Sequence, residues 1–143
     1  MYASLFIPAS ASGLKIEDVR VQLFYENSGT LSEDLTKMKN VALWNTIIGE
    51  GDAREPANSF LVNVVLSGKA GSFDHTEKLV VTVFDETIKK SVVQKTFSSF
   101  LIEKSGRVIK PVFVENRTCS PIRITAKSKN STRTIRLSFD CGE

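Results

Sequence analysis

Residues 119–143 read CSPIRITAKSKNSTRTIRLSFDCGE, and the alternation inside this stretch decides the fold class. From Ser120 to Lys127 the apolar residues Ile122, Ile124 and Ala126 alternate with Arg123, Thr125 and Lys127. From Thr132 to Cys141, Ile135, Leu137 and Phe139 alternate with Thr134, Arg136, Ser138 and Asp140. A period of two, rich in β-branched residues, marks a half-buried strand. The turn Ser128-Lys129-Asn130-Ser131 is short and polar, so the two runs pair antiparallel. A register that sets Ile124 against Ile135 and Ile122 against Leu137 gathers the apolar side chains on one face. Arg123, Lys127 and Arg136 then share the solvent face.

The only two cysteines, Cys119 and Cys141, stand at the open end of this hairpin. Two cysteines without a metal-ligand cluster or C-x-x-C spacing point to a disulfide formed in an oxidising compartment. Strict alternation would put them on opposite faces, and a bulge at Ser120-Pro121 would reset the parity. Such a bond closes a loop of about 20 residues and stabilises by about 3 kcal/mol in the chain-entropy picture. Two buried free thiols are the alternative.

Working outward, 143 residues suffice for one domain with a substantial core. The net charge of +3 is unevenly spread: residues 1–86 carry seven Lys/Arg against twelve Asp/Glu, and residues 87–143 carry twelve against four. The C-terminal strands can therefore build a cationic patch suited to an acidic protein or an anionic surface. Nucleic acid is disfavoured, because no aromatic residue is interleaved with the hairpin's cations. No apolar run approaches the roughly 20 residues of a membrane-spanning helix. Residues 1–13 include Leu5-Phe6-Ile7-Pro8 and an Ala-x-Ala at 9–11. They read either as the remnant of a secretory signal or as an N-terminal arm.

Residues 14–143 form the folded unit. Leu14–Asn27 is a strand with Val19, Val21, Leu23 and Tyr25 inward and an irregularity near Asp18. Thr30-x-x-Glu33 resembles a capping box and predicts one short helix within 31–39. Val41–Ile48 reads as a strand with the sole tryptophan, Trp44, as a core anchor. Residues 49–58, GEGDAREPAN, offer Glu50, Asp52 and Glu55 beside two glycines. They lack both the helix and lysine of a phosphate loop and the spacing of a calcium loop, so they read as a connection. Ser59–Ser67, Lys78–Asp85, Ser91–Phe97 and Val108–Glu115 complete the strands. Pro111 assigns the last of these to an edge or a bulge, open to strand addition. His75, the only histidine, sits in the loop before Lys78. Paired with the 49–58 loop, it is the one catalytic arrangement to weigh against a bystander.

The pattern predicts an all-β protein: an antiparallel β-sandwich of about eight strands, immunoglobulin-like or jelly-roll-like, with at most one short helix near 31–39. No metal site, cofactor site or catalytic motif emerges. The expected function is a non-enzymatic, periplasmic or secreted binding module that recognises a protein or an anionic surface through Arg123, Lys127 and Arg136. The alternative is a structural subunit of an extracellular or virion-like assembly, self-associating through the N-terminal arm.

Overall fold

A computed structural model describes residues 13–142. All but the last residue of the N-terminal signal-or-arm stretch lies outside that range. The described residues form ten strands: β1 (Lys15–Tyr25), β2 (Thr30–Leu31), β3 (Ser59–Ser67), β4 (Ser72–Asp74), β5 (Leu79–Asp85), β6 (Lys90–Phe97), β7 (Phe100–Ile102), β8 (Arg107–Val114), β9 (Pro121–Lys127) and β10 (Thr132–Ser138). Two antiparallel sheets result, ordered β2-β1-β3-β8 and β10-β9-β5-β6, with β4 and β7 forming a separate two-stranded ribbon. The protein is all-β and sandwich-like, as its alternating runs require.

The core lies between the sheets. Val21, Leu23, Phe60, Val62, Val64, Leu79, Val81, Val83, Ile124 and Ala126 are fully buried. Phe60 of β3 stacks on Phe139, just past β10, at 5.5 Å between ring centroids. The β9–β10 register is the one its apolar residues demand: Ile124 opposes Ile135 and Ile122 opposes Leu137. The irregularity expected near Asp18 is a bulge, where the β1–β3 register shifts between Ile16 and Asp18.

The cysteines are joined, with their Cα atoms 4.7 Å apart. No bulge is needed. The ladder ends at the pair Ser138–Pro121, so both cysteines lie beyond it and strand parity no longer constrains them.

Three local expectations are corrected. Thr30 does not cap a helix; it belongs to β2, and the single turn that follows is a 3-10 turn, Leu35–Lys37, capped by the Asp34 side chain. Val41–Ile48 is not a strand. Trp44 makes one isolated bridge to Asp140, Asn45 turns left-handed at φ 49°, and Thr46–Ile48 is a second 3-10 turn. Consequently Trp44 is not a core anchor. Leu43 is buried in its place, and Trp44 stays 47% exposed with its ring against Gly142, where a Cβ would collide with it.

The edges of the β2-β1-β3-β8 sheet are guarded. β2 covers only Phe24 and Tyr25 of β1, yet the edge of β1 beyond it is closed by side chains. The Ile16 N–H donates to Ser131 Oγ at 3.3 Å, Val19 to Asp18 Oδ1 at 2.9 Å, Val21 to Asp34 Oδ1 at 3.0 Å and Leu23 to Ser32 Oγ at 2.8 Å. β8 is the opposite edge, as Pro111 suggests, and it is not an inviting one. Beside Pro111, Lys110 takes the inward parity opposite the buried Val64, with its Nζ over the rings of Phe97 and Phe100 at 5.7 and 5.4 Å. Proline and inward-pointing charge both discourage strand addition.

Asp18 ties three elements together. Its carboxylate lies 3.1 Å from Lys37 Nζ, 3.6 Å from Arg20 Nε and 3.7 Å from Arg133 Nη1. Burial pushes its pKa up, but Lys37, the Val19 N–H and Arg20 outweigh that and hold it below the ordinary 3.8. A depressed carboxylate pKa contributes stability that is complete above the unfolded value and is lost as pH falls through the folded one. Asp18→Asn should therefore lower the urea midpoint at pH 7 by an amount equivalent to on the order of 1 kcal/mol, given solvent screening of the pairs. The gap should close below pH 3.8; a gap independent of pH would refute the assignment.

Candidate functional site

The outer face of the β10-β9-β5-β6 sheet is a grid set by its registers. One row crosses the strands as Arg136, Arg123, Phe84 and Ser91; the next as Thr134, Thr125, Thr82 and Gln94; the third as Thr132, Lys127, Val80 and Thr96. These are the outward members of the period-two runs, and β9 and β5 hold the two middle columns from inside the sheet. The three hairpin cations singled out from sequence do share this face. Arg123 and Arg136 are direct cross-strand partners. Lys127 is in the third row, about 13 Å from Arg123 along the strand.

Two residues that sequence reading missed organise the arginines. Phe84 neighbours Arg123 on β5, and the guanidinium lies over its ring at 4.5 Å, an interaction worth about 0.5–1 kcal/mol at such a site. Glu86, just past β5, is anchored by its N–H donating to the Pro121 carbonyl at 2.9 Å. Its Oε1 lies 3.1 Å from Arg136 Nη2 and 3.9 Å from Arg123 Nη1. That oxygen is shielded from solvent yet accepts no well-aligned hydrogen bond. The contact is thus chiefly a charge contact: one carboxylate between two guanidiniums, offsetting their mutual repulsion and leaving their N–H groups largely uncommitted. The signal for Glu86 was its place at the end of the alternating run LVVTVFDE, next to a turn.

The neighbouring Asp85 has the opposite parity and is buried. It accepts the Thr87 N–H at 2.9 Å and the Ile88 N–H at 3.3 Å, and it faces Arg117 Nη1 at 3.5 Å. It closes the β5–β6 turn and takes no part in the outer face.

The structure does not bring His75 and the 49–58 loop together. Glu77, two residues after His75, accepts the Leu14 N–H at 2.8 Å before the start of β1, while the Arg54 N–H reaches Tyr25 Oη at its end. The intervening strand of 11 residues spans about 35 Å. Asp74 does not orient His75 for chemistry. Its carboxylate accepts the Thr76 N–H, the Thr76 hydroxyl and the Glu77 N–H. The Thr76 N–H leads in holding its pKa below the ordinary value against the opposing effect of burial. His75 itself stacks on Phe73 at 5.7 Å. In the 49–58 loop each carboxylate has a structural partner: Glu50 takes Asn45 Nδ2, Asp52 takes the Ala42 N–H, and Glu55 takes Ser28 Oγ. Among the described residues no group of three or more acidic, histidine or cysteine side chains is placed to hold a metal ion.

The chain matches no protein-family model and no curated protein sequence. A functional reading therefore rests on the geometry of this face.

If Glu86 is what permits two arginines to stand side by side, Glu86→Gln should cost about 0.5–1 kcal/mol at low salt. The cost should shrink, without vanishing, at 1 M salt, because the exposed guanidiniums are screened while the shielded carboxylate oxygen is screened less. A loss insensitive to salt would show that Glu86 acts through packing instead.

Proposed function

We propose that this protein is a non-enzymatic extracytoplasmic binding module, periplasmic or secreted, that captures a protein or an anionic surface through Arg123, Arg136 and Lys127. The observation that carries this reading is the pre-held arginine pair. The two guanidiniums stand on directly opposed residues of adjacent strands, one braced on Phe84 and both facing a single carboxylate. Side chains fixed in advance lose less freedom on binding, so more of the interaction appears as affinity. The disulfide supports this choice of compartment, since oxidising surroundings maintain such bonds. Among the described residues no helix is long and apolar enough to cross a membrane.

The Arg123→Glu/Lys127→Glu/Arg136→Glu protein should keep its fold, since all three side chains lie on the outer face. It should lose capture of the partner at least a hundredfold in a pull-down from its native surroundings. Undiminished capture at low salt would eliminate the reading.

A second reading, a structural subunit of an extracellular or virion-like assembly, draws support from the opposite side of the sandwich. There Phe24 and Phe113 meet edge to face at 5.5 Å, and Leu31, Ile109 and Phe113 are each more than a third exposed. A contiguous apolar face of this kind suits contact with another copy. Under this reading residues 2–13 pack on a neighbour. Deleting them should leave the circular dichroism spectrum unchanged and reduce the sedimentation coefficient to that of a monomer. A full-length protein already monomeric at high concentration counts against it.

A further inference from the structure

We infer that the ligand of the basic face is a linear anionic polysaccharide, a pyranose chain bearing carboxylates or sulfate esters, laid across the outer surface of the β10-β9-β5-β6 sheet. This deepens the binding-module reading and rests on it. Three features of the grid support the choice.

The first is the spacing of the cations. Arg123 and Arg136 occupy one border row and Lys127 the other, about 13 Å apart along the strands. Charges at two borders of a face match a ligand with repeated anions, where a single small anion would need them clustered.

The second is the surface between them. The middle row is Thr134, Thr125, Thr82 and Gln94, with Thr132 and Thr96 at the ends of the third row. Thr125 Oγ1 and Thr134 Oγ1 lie 3.3 Å apart. Hydroxyls and an amide, each able to donate and accept, are the complement of a ligand rich in hydroxyl groups.

The third is what the face lacks as a surface for other polyanions or proteins. Its apolar members are Val80 and Phe84, both on β5 and half-buried, and Phe84 is roofed by Arg123. Protein hot spots favour exposed aromatic anchors, interfacial membrane binding needs protruding apolar side chains, and single-stranded nucleic acid needs open stacking platforms. Of the large exposed apolar residues, Trp44 and Ile88 stand past the ends of β10 and β5, outside the three rows, and Ile109 and Phe113 lie on the other sheet.

The test uses the full chain and isothermal titration with defined probes. These are a galacturonate disaccharide, a galacturonate chain long enough to run from Arg123 to Lys127, dextran sulfate, neutral dextran, and phosphatidylserine vesicles. The long galacturonate or dextran sulfate should bind at least tenfold tighter than the disaccharide, and neutral dextran should not bind. Whichever anion binds identifies it as carboxylate or sulfate. Thr82→Val/Thr125→Val/Thr134→Val preserves charge and β-branched shape and should weaken it at least tenfold. If that variant unfolds in circular dichroism, the exposed Thr134→Val alone should weaken binding severalfold. Chain affinity indifferent to the threonines, or tighter capture by the vesicles with the same dependence on Arg123, Lys127 and Arg136, would overturn the polysaccharide and leave the binding module standing. Absence of any capture that depends on those three cations would overturn both.

Discussion

The two-residue period of β9 is the constraint on which the rest of the structure depends. β9 is an interior strand, flanked by β10 and β5, so both of its backbone edges are committed and only its two faces remain. Ile122, Ile124 and Ala126 are buried against the opposite sheet, which leaves Arg123, Thr125 and Lys127 no direction but outward. A slip of one residue would put two cations in the core and three apolar side chains in water. At about 1.5–3 kcal/mol for each large side chain misplaced, and more for each unpaired buried charge, the register has no competitor. The cationic face is thus a consequence of the core: its residues are held because their neighbours cannot move.

This is also why so much of the architecture was legible. Where a strand is half-buried, its sequence names both the inward set and the partner register, as Ile124 opposite Ile135 illustrates. Pro111 on an edge strand and the irregularity at Asp18 were readable for the same reason: each breaks the period in a way with few structural outcomes. The failures share a cause as well. Val41–Ile48 has strand-like composition, but Asn45 takes a left-handed conformation and the segment spends its hydrogen bonds on Asp140 and on its own turns. β2, β4 and β7 are two or three residues long, too short to show a period. In the site, Arg123, Lys127 and Arg136 were visible because they lie on one hairpin. Phe84 and Glu86 were not, because β5 reaches β9 across a long stretch of intervening chain and only tertiary pairing brings them together.

The two outer faces of the sandwich have opposite chemistry. One carries Phe24, Leu31, Ile109 and Phe113; the other carries arginine, lysine, threonine and glutamine. The division follows the charge asymmetry along the chain, since β1, β2 and β3 come from the acidic portion and β6, β9 and β10 from the basic one. The exchanged members are β8 and β5. β5 brings Phe84, and the chain leaving it brings Glu86, so the basic sheet receives both its arginine brace and its countercharge from the other half of the sequence.

The side-chain seal along β1 bears on how this protein can vary in length. Residues 32–37 look like a dispensable surface excursion between two strands, the kind of segment where insertions and deletions accumulate. Yet Ser32 and Asp34 each stopper a particular backbone donor of β1, at Leu23 and Val21. The spacing between the stoppers matches the spacing between the donors. Gaining or losing one residue between Ser32 and Asp34 would move the two oxygens out of step and leave the Val21 or Leu23 amide unpaired at the edge of β1. The excursion is therefore tolerant of substitution on its outward positions but intolerant of a change in the count between Ser32 and Asp34, the reverse of what its place on the surface suggests.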